Sequence, residues 1–570
     1  VYCTSWTFYG AVGNAATTGL GYLPIYLGPA LVMLLGIDLL RRIAVTSRDQ
    51  RITSIADYIA YRYGRSHSIA VLVTIAAVIG SVPYIALQLK GITTGFEVIT
   101  RSSGAGDTLP TNLPLYVTLT LALFAVLFGT RNMDASEHHR GLMWAIALES
   151  LVKLLAFLAI GLFVIFGVFD GFANVAETVR NNQEYQQLFS PWQLPEGFGI
   201  QMILAMAAIL CLPRQFHVAV VEFRDERDLA FARWLFPAYL MVFAVLVMPI
   251  ALAGLTQFAG QDVNPDTYML ALPIAFDREM LTVLAFLGGF SAASGMVIVA
   301  SIALAILVSN DIVMPLLLRS GLVSGGGETD LSQTLLRVRR ISIFAITLVA
   351  FLYYEPIESG VPLASIGLLS FSAAAQFAPA MLIGLYWRGA NRAGALSGLF
   401  IGVSIWFLFL LVPSFTHNVE TGMMPSISFN QGAAWSLMLN ALAIVIVSLM
   451  FKESDTELPG DSGQMAEGGL ITLGELQRTI GRFLGFNRTA EALKTHLETE
   501  DLEPSALATP ATVQFSERLL AGSIGSASAR TVLSSALHHR GLGPRAVLDL
   551  LNKTSQAVQF NRELLESTLD

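Results

Sequence analysis

The sequence is poor in cysteine and in charge. Its two cysteines, Cys3 and Cys211, both sit in apolar runs, which excludes a disulfide scaffold. Only 13% of the 570 residues are charged while 54% are hydrophobic, a balance that fits neither a disordered chain nor an ordinary soluble globule. A basic-aromatic stripe is missing too, and with a net charge of −8 no nucleic-acid partner is expected. There is no Walker loop, no GxSxG elbow and no dinucleotide fingerprint; Gly325-Gly326-Gly327 is a plain glycine run. The eight histidines include the pairs His138-His139 and His538-His539, neither with a cysteine or carboxylate partner at zinc spacing. No catalytic residue, metal or cofactor is therefore expected, and His496, His538 and His539 have no evident acid/base partner that would support an enzyme.

Long apolar runs are what the chain has in abundance. Twelve occur, at 1–20, 22–43, 69–96, 115–127, 142–169, 200–221, 230–255, 281–307, 341–354, 363–387, 395–412 and 433–451. Most approach the roughly 20 residues a helix needs to cross the hydrocarbon layer, so an all-α polytopic membrane protein is expected. Lys and Arg divide unevenly between alternate loops: nineteen fall on one side, and only Arg101, Arg180 and Arg278 on the other. By the positive-inside rule the loop at Arg41 and the C-terminal tail are cytoplasmic, in contact with a lipid bilayer between. The first run opens at Val1 without a charged flank, so a preceding helix is expected to be missing, and no signal peptide is visible.

Charge density doubles near Phe451, from 24 basic and 26 acidic residues in 1–452 to 10 and 16 in 453–570. Residues 453–469, with Pro459, Gly460, Gly463, Gly468 and Gly469, read as a linker. Helical periodicity resumes at 472–484, 490–497, 511–521 and 527–538, which assigns 470–543 to a four-helix bundle. Thr472 and Glu475 form a capping-box pair, and Pro544 starts a last helix. In 544–570 Leu548, Leu551, Ser555, Val558, Arg562, Leu565 and Leu569 keep the spacing of a coiled-coil seam.

Ionisable groups inside a span cost several kcal/mol and need a partner or a water path. Lys90 follows Pro83 and Gln88 in the third run, where it either lines a solute path or snorkels outward. Glu149 and Lys153 stand one turn apart, either as a self-neutralising pair or as an ion or proton relay. Arg214, Gln215 and His217 follow Pro213, which removes a helix hydrogen bond, so they either coordinate a solute at a broken helix or mark the end of the span. The small residues from Gly288 to Gly295 include Ser291 and Ser294, which serve helix packing or bind a cation through hydroxyl oxygens.

Residues Val1 to about Phe451 resemble the solute:sodium symporters. The resemblance is carried by Trp6 with Gly10 and Gly13, by Thr53-Ser54-Ile55-Ala56-Asp57-Tyr58 before Arg62-Tyr63, by Gln88, and by the Ser291 segment with Asp311. It implies a LeuT-type core of two inverted five-helix repeats with extra helices, discontinuous in the first span between Gly10 and Gly13 and in the sixth near Pro213. It also implies a substrate site drawn from Thr4, Ser5, Trp6, Gln88, Lys90, Arg214, Gln215 and His217. Where the proline-type symporters carry an Asp four positions before the Trp, this chain has Tyr2, and where they carry a second hydroxyl after Ser291 it has Ala292. The resemblance therefore implies a weakened sodium site, with H+ coupling, or no coupling, as the alternatives to Na+.

A second resemblance is to transporter-fused sensor histidine kinases of the CrbS and CbrA type. It is carried by the Tyr2–Gly10 stretch, Glu137-His138-His139-Arg140-Gly141-Leu142, Leu148-Glu149-Ser150-Leu151-Val152-Lys153-Leu154 and Tyr386-Trp387-Arg388-Gly389-Ala390-Asn391-Arg392. It implies a STAC domain at 470–543, a signalling helix after it, PAS and kinase modules beyond the numbered chain, a response regulator as partner, and a bacterial inner-membrane location. The expected function is a transporter and sensor for a small monocarboxylate such as acetate. The alternatives are an amino acid (histidine) as solute, or a receptor that has lost transport.

Overall fold

A computed structural model describes residues 2–102, 112–129, 140–319, 331–357, 361–415, 427–451, 471–497 and 505–538. The linker at 453–469 and the seam helix at 544–570 lie outside the described residues. Those described form helices joined by short turns and no strand, apart from one isolated bridge between Thr472 and Leu507. Backbone groups in hydrocarbon have no water to bond, and helices satisfy them internally.

The helices that build the site are α1 (Ala11–Thr18), α2 (Pro24–Leu35), α3 (Ile55–Arg62), α4 (His67–Ser102), α5 (Leu113–Gly129), α6 (Arg140–Phe163), α7 (Phe198–Cys211), α8 (Pro213–Phe216), α9 (Glu226–Gln257), α10 (Glu279–Leu307), α11 (Leu331–Tyr354), α12 (Leu363–Ala375), α13 (Arg392–Trp406) and α14 (Phe429–Met450). All twelve apolar runs are helical, but they do not all make straight spans. Among the described residues seven helices are long and apolar enough to cross a bilayer, or nine if each of two bent pairs counts as one. One pair is Trp6–Tyr22 with Pro24–Leu35, bent by 58°; the other is Phe198–Cys211 with Pro213–Val221, bent by 49°. Of the remaining runs, α5 has only 17 residues, and α11 carries Arg337, Arg339 and Arg340 in its first half.

One continuous apolar core runs through the membrane part, from Trp6 and Tyr26 through Phe157 and Phe243 to Phe371 and Trp406. On α6 the large side chains Trp144, Leu148, Leu151 and Leu155 point out of the protein, while Lys153, Ala156 and Phe157 are buried. That split is expected of a helix with one face on lipid and the other on its neighbours.

The tail forms α15 (Leu473–Leu484), α16 (Phe486–Leu497), α17 (Pro510–Ile524) and α18 (Ser526–His538). Both arms of the Thr472/Glu475 capping box close at the start of α15. Among the described residues the tail shares its core with the membrane part: Leu476, Ile480, Phe483, Leu520, Ile524 and Leu533 pack in one cluster with Met314, Leu331 and Leu335.

Candidate functional site

The break expected between Gly10 and Gly13 is absent: Tyr2–Thr4 have no regular structure, the helix starts at Ser5, makes a wide turn over Trp6–Gly10 and runs through Gly13 as regular helix. The two glycines serve close approach instead: a Cβ on Gly10 would meet Leu363, and one on Gly13 would collide with the Asp266 carboxylate. The sixth run breaks where expected. Leu212 is extended (ψ 130°) and Pro213 opens α8, its missing N–H costing nothing at a helix start.

Side chains replace the backbone partners that the start of this helix lacks. The Ser5 N–H donates to Gln88 Oε1 at 2.9 Å, and Gln88 Nε2 donates back to the Tyr84 carbonyl at 3.1 Å. Thr4 Oγ1 lies 3.0 Å from the Tyr84 hydroxyl, and the Thr4 N–H donates to Thr7 Oγ1 at 2.7 Å. Lys153 Nζ reaches across from α6 to donate to the Cys3 carbonyl at 2.9 Å.

At the break before Pro213 the Arg214 guanidinium lies over the Tyr84 ring, 4.1 Å from its centroid. Arg214 is 2% exposed, and its Nε and Nη2 atoms find no protein acceptor. Gln215 Nε2, Trp6 Nε1 and Ser5 Oγ are likewise buried without a protein partner. Trp6, Tyr84 and Phe371 form the apolar wall, with ring centroids 4.7 Å (Trp6–Phe371) and 5.8 Å (Tyr84–Phe371) apart. Thr4, Ser5, Trp6, Gln88 and Arg214 thus gather around Tyr84, with Gln215 beside Arg214 on α8. Tyr84 and Phe371 escaped the sequence reading, although Tyr84 stands one turn before Gln88.

Two predicted residues lie elsewhere. Lys90 faces a neighbouring pocket lined by Tyr9, Asn264, Asp266, Thr267 and Leu363, and its Nζ donates to the Val361 carbonyl at 2.7 Å. At 6% exposure it does not snorkel, because that pocket supplies both a carbonyl and the Asp266 carboxylate. Asp266 itself accepts the Leu363 N–H at 2.8 Å, which ties the loop to the start of α12. Burial pushes its carboxyl above the usual range, against the opposing pull of the Leu363 N–H and the Lys90 charge. His217 lies one turn past Arg214, with Nε2 3.9 Å from Glu222 Oε1, both side chains buried.

No salt bridge joins Glu149 to Lys153 among the described residues: Lys153 Nζ donates to the Cys3 carbonyl at 2.9 Å and the Glu149 carboxylate lies against Gly295 on α10, so the two charges act on each other without direct contact. Ser291, expected to offer its hydroxyl to a cation, donates it to the Glu149 carbonyl at 3.1 Å; Ser294 lies buried nearly one turn further along.

A second polar cluster, on the arginine-rich face, joins the membrane part to the tail. Ser54 caps α3 by accepting the Asp57 N–H at 3.1 Å, and Asp57 in turn accepts the Thr53 N–H at 3.2 Å. The remaining Asp57 oxygen accepts both the hydroxyl and the N–H of Ser526, the latter at 2.9 Å, at the first residue of α18. Arg339 Nη2 donates to the Ser523 carbonyl at the end of α17 at 3.1 Å. The turn between α17 and α18 is therefore gripped by a cation at a helix C-terminus and an anion at a helix N-terminus, each matching the local macrodipole. Gly525, at φ +80°, makes that turn and sits on Asn310 and Asp311. Ser528 donates to the Asn310 carbonyl at 3.1 Å, Thr74 donates to Asp311 at 2.8 Å, and Arg65 pairs with Glu517. Burial raises the Asp57 carboxyl above its ordinary value, and the Ser526 and Thr53 donors pull it back.

No family model matches the chain. It is 24% identical over 457 residues to an uncharacterized symporter, YodF, of Bacillus subtilis (strain 168), covering 79% of this chain and 83% of that protein. It is 23% identical to the osmoregulated proline transporter OpuE of the same organism, over 76% of this chain and 87% of OpuE. Among solved structures it matches the substrate-bound, outward-open state of a Na+-coupled sialic acid symporter at a TM-score of 0.55 and 14% identity, covering 79% of this chain and 90% of that one. The chain shares that symporter's fold. The all-α polytopic class expected from the apolar runs is thus observed.

Proposed function

We propose that the chain is a symporter-type solute transporter whose central site takes a small monocarboxylate such as acetate. The observation that carries this reading is Arg214, a buried guanidinium at a helix break with two nitrogens lacking protein acceptors. A buried cation without an anion is costly, and a carboxylate would supply the acceptors that the fold withholds. The aromatic wall of Trp6, Tyr84 and Phe371 suits a short apolar chain behind that carboxylate. Protons are the preferred coupling ion.

The same reading makes the tail the sensor part of a bacterial inner-membrane histidine kinase, lying on the cytoplasmic side and relaying occupancy to kinase modules and a response regulator. Its support is the clamp on the α17–α18 turn, which ties the tail to α3, to α11 and to Asn310 just past the end of α10.

Uptake of labelled acetate into proteoliposomes, competed by unlabelled carboxylates and amino acids, tests the solute. Acetate and its short-chain homologues compete, and Arg214→Gln weakens uptake by at least about tenfold, equivalent to about 1.4 kcal/mol. Competition by histidine or proline but not by acetate overturns the carboxylate assignment and favours an amino acid, the reading that the likeness to OpuE supports. Saturable acetate binding without uptake makes the chain a receptor.

A further inference from the structure

We infer that the Lys153 ammonium, bound to the Cys3 carbonyl, takes the place of the coupling cation expected at Ser291, so that this chain works without sodium. The inference deepens the transporter reading and depends on it for its physiological meaning, though not for its geometry.

A hard cation leaves water only where several oxygens replace its shell. The oxygens on offer at this position are carbonyls of the segment before the helix and hydroxyls of α10, and a sodium ion would have to share them with the Lys153 ammonium. The Cys3 carbonyl already accepts Lys153 Nζ at 2.9 Å. Ser291 gives its hydroxyl to the Glu149 carbonyl at 3.1 Å, and the next residue, Ala292, has no side-chain oxygen.

The register of the two helices explains why the lysine arrives there. α6 and α10 run antiparallel, since Gly288 abuts Ala156 and Gly295 abuts Glu149. Lys153, between those two contacts, therefore leaves α6 level with Ser291 and Ala292. Ala292 offers no oxygen at that level, and the ammonium supplies the positive charge that an ion would bring. A sodium ion beside it would face a like charge in a medium that screens poorly. The residues present do not fit sodium, whereas they do fit a tethered ammonium.

A purified-protein melting assay tests this independently of which solute is carried, because an ion that binds only the folded state raises Tm by mass action. Wild-type protein melts at the same temperature in sodium, potassium and choline chloride at about 100 mM, well above the range in which a coupling site would fill. Lys153→Ala melts lower, and sodium but not potassium restores part of the loss; Lys153→Arg, which keeps the charge, stays indifferent to sodium. A sodium-specific rise in wild-type Tm overturns the inference, and so does a Lys153→Ala protein that melts like wild type in every salt. Should Lys153→Ala fail to fold, the wild-type comparison and Lys153→Gln still decide. If acetate does not bind while wild-type Tm ignores sodium, the solute assignment falls and the tethered cation stands.

Discussion

The centre of the membrane part and its junction with the tail are both buried and both polar, yet they are built in opposite ways. At the centre Arg214 has two nitrogens without protein acceptors, and Gln215, Trp6 and Ser5 also hold unpartnered polar atoms. At the junction the Asp57 carboxylate accepts three donors, the Thr53 N–H and the N–H and hydroxyl of Ser526, and Asn310 bonds Thr53 and Ser528. The first cluster leaves a buried guanidinium with two unpartnered nitrogens. In the second, Asp57 and Asn310 find their partners within the chain, although Ser309 Oγ and Ser523 Oγ stay buried without one, so the contrast lies in the charged groups.

Substitutions can break this contrast, and the largest effect is expected where the two parts share apolar core. Leu520 is fully buried among residues of the tail and of α11. Leu520→Ala costs about 2–5 kcal/mol of tail packing. Hydrogen exchange of Leu473–Leu484 and Pro510–Ile524 accelerates, while acetate affinity stays within about twofold. An equal loss of acetate affinity would mean that the joint and the central site form one cooperative unit.

Next in size is the central cation. Arg214→Met weakens acetate binding by about a hundredfold, or about 2.8 kcal/mol. The same variant melts no lower than wild type, since replacing a buried unpaired charge by an apolar side chain removes a desolvation cost. A marked fall in Tm would show that the guanidinium is structural. Asp57→Ala has the reverse signature. It strips the cap from α18 and a support from α3, costs about 1–3 kcal/mol of docking, and leaves acetate binding intact; exchange protection across Ser526–His538 reports it.

How legible each cluster was depended on how local its physics is. The break at Leu212 was readable because Pro213 removes a hydrogen bond whatever surrounds it. The break expected at Gly10–Gly13 is absent because glycine has two uses, and there the use is contact with Leu363 and Asp266. Glu149 and Lys153 looked like a pair at one-turn spacing, but the Cys3 carbonyl, 150 positions away in sequence, captures the lysine. Asp57 stood out only as part of a motif, since its partner Ser526 lies 469 positions on. Apolar runs fixed the class of fold, while pairings across the chain decided the site.

The smallest expected effect sharpens that last point. Thr472 caps α15 by accepting the Glu475 N–H, and Glu475 returns a bond to the Thr472 N–H, so the whole device lies within four residues. Asp57 performs the same chemistry for α18 from another part of the molecule. Thr472→Ala removes a local cap and costs about 1 kcal/mol, because the carbonyl ladder of α15 and its buried Leu476 and Ile480 remain in place. Its loss of exchange protection stays within the first turn of Leu473–Leu484. Asp57→Ala loosens α18 and, through the Gly525 turn, the end of α17 as well, since both helices meet the membrane part there. If Thr472→Ala instead loosened α17 and α18 to the same extent, the tail would behave as a single unit held by its own caps, and the clamp formed by Asp57 and Arg339 would not be what holds it to the membrane helices.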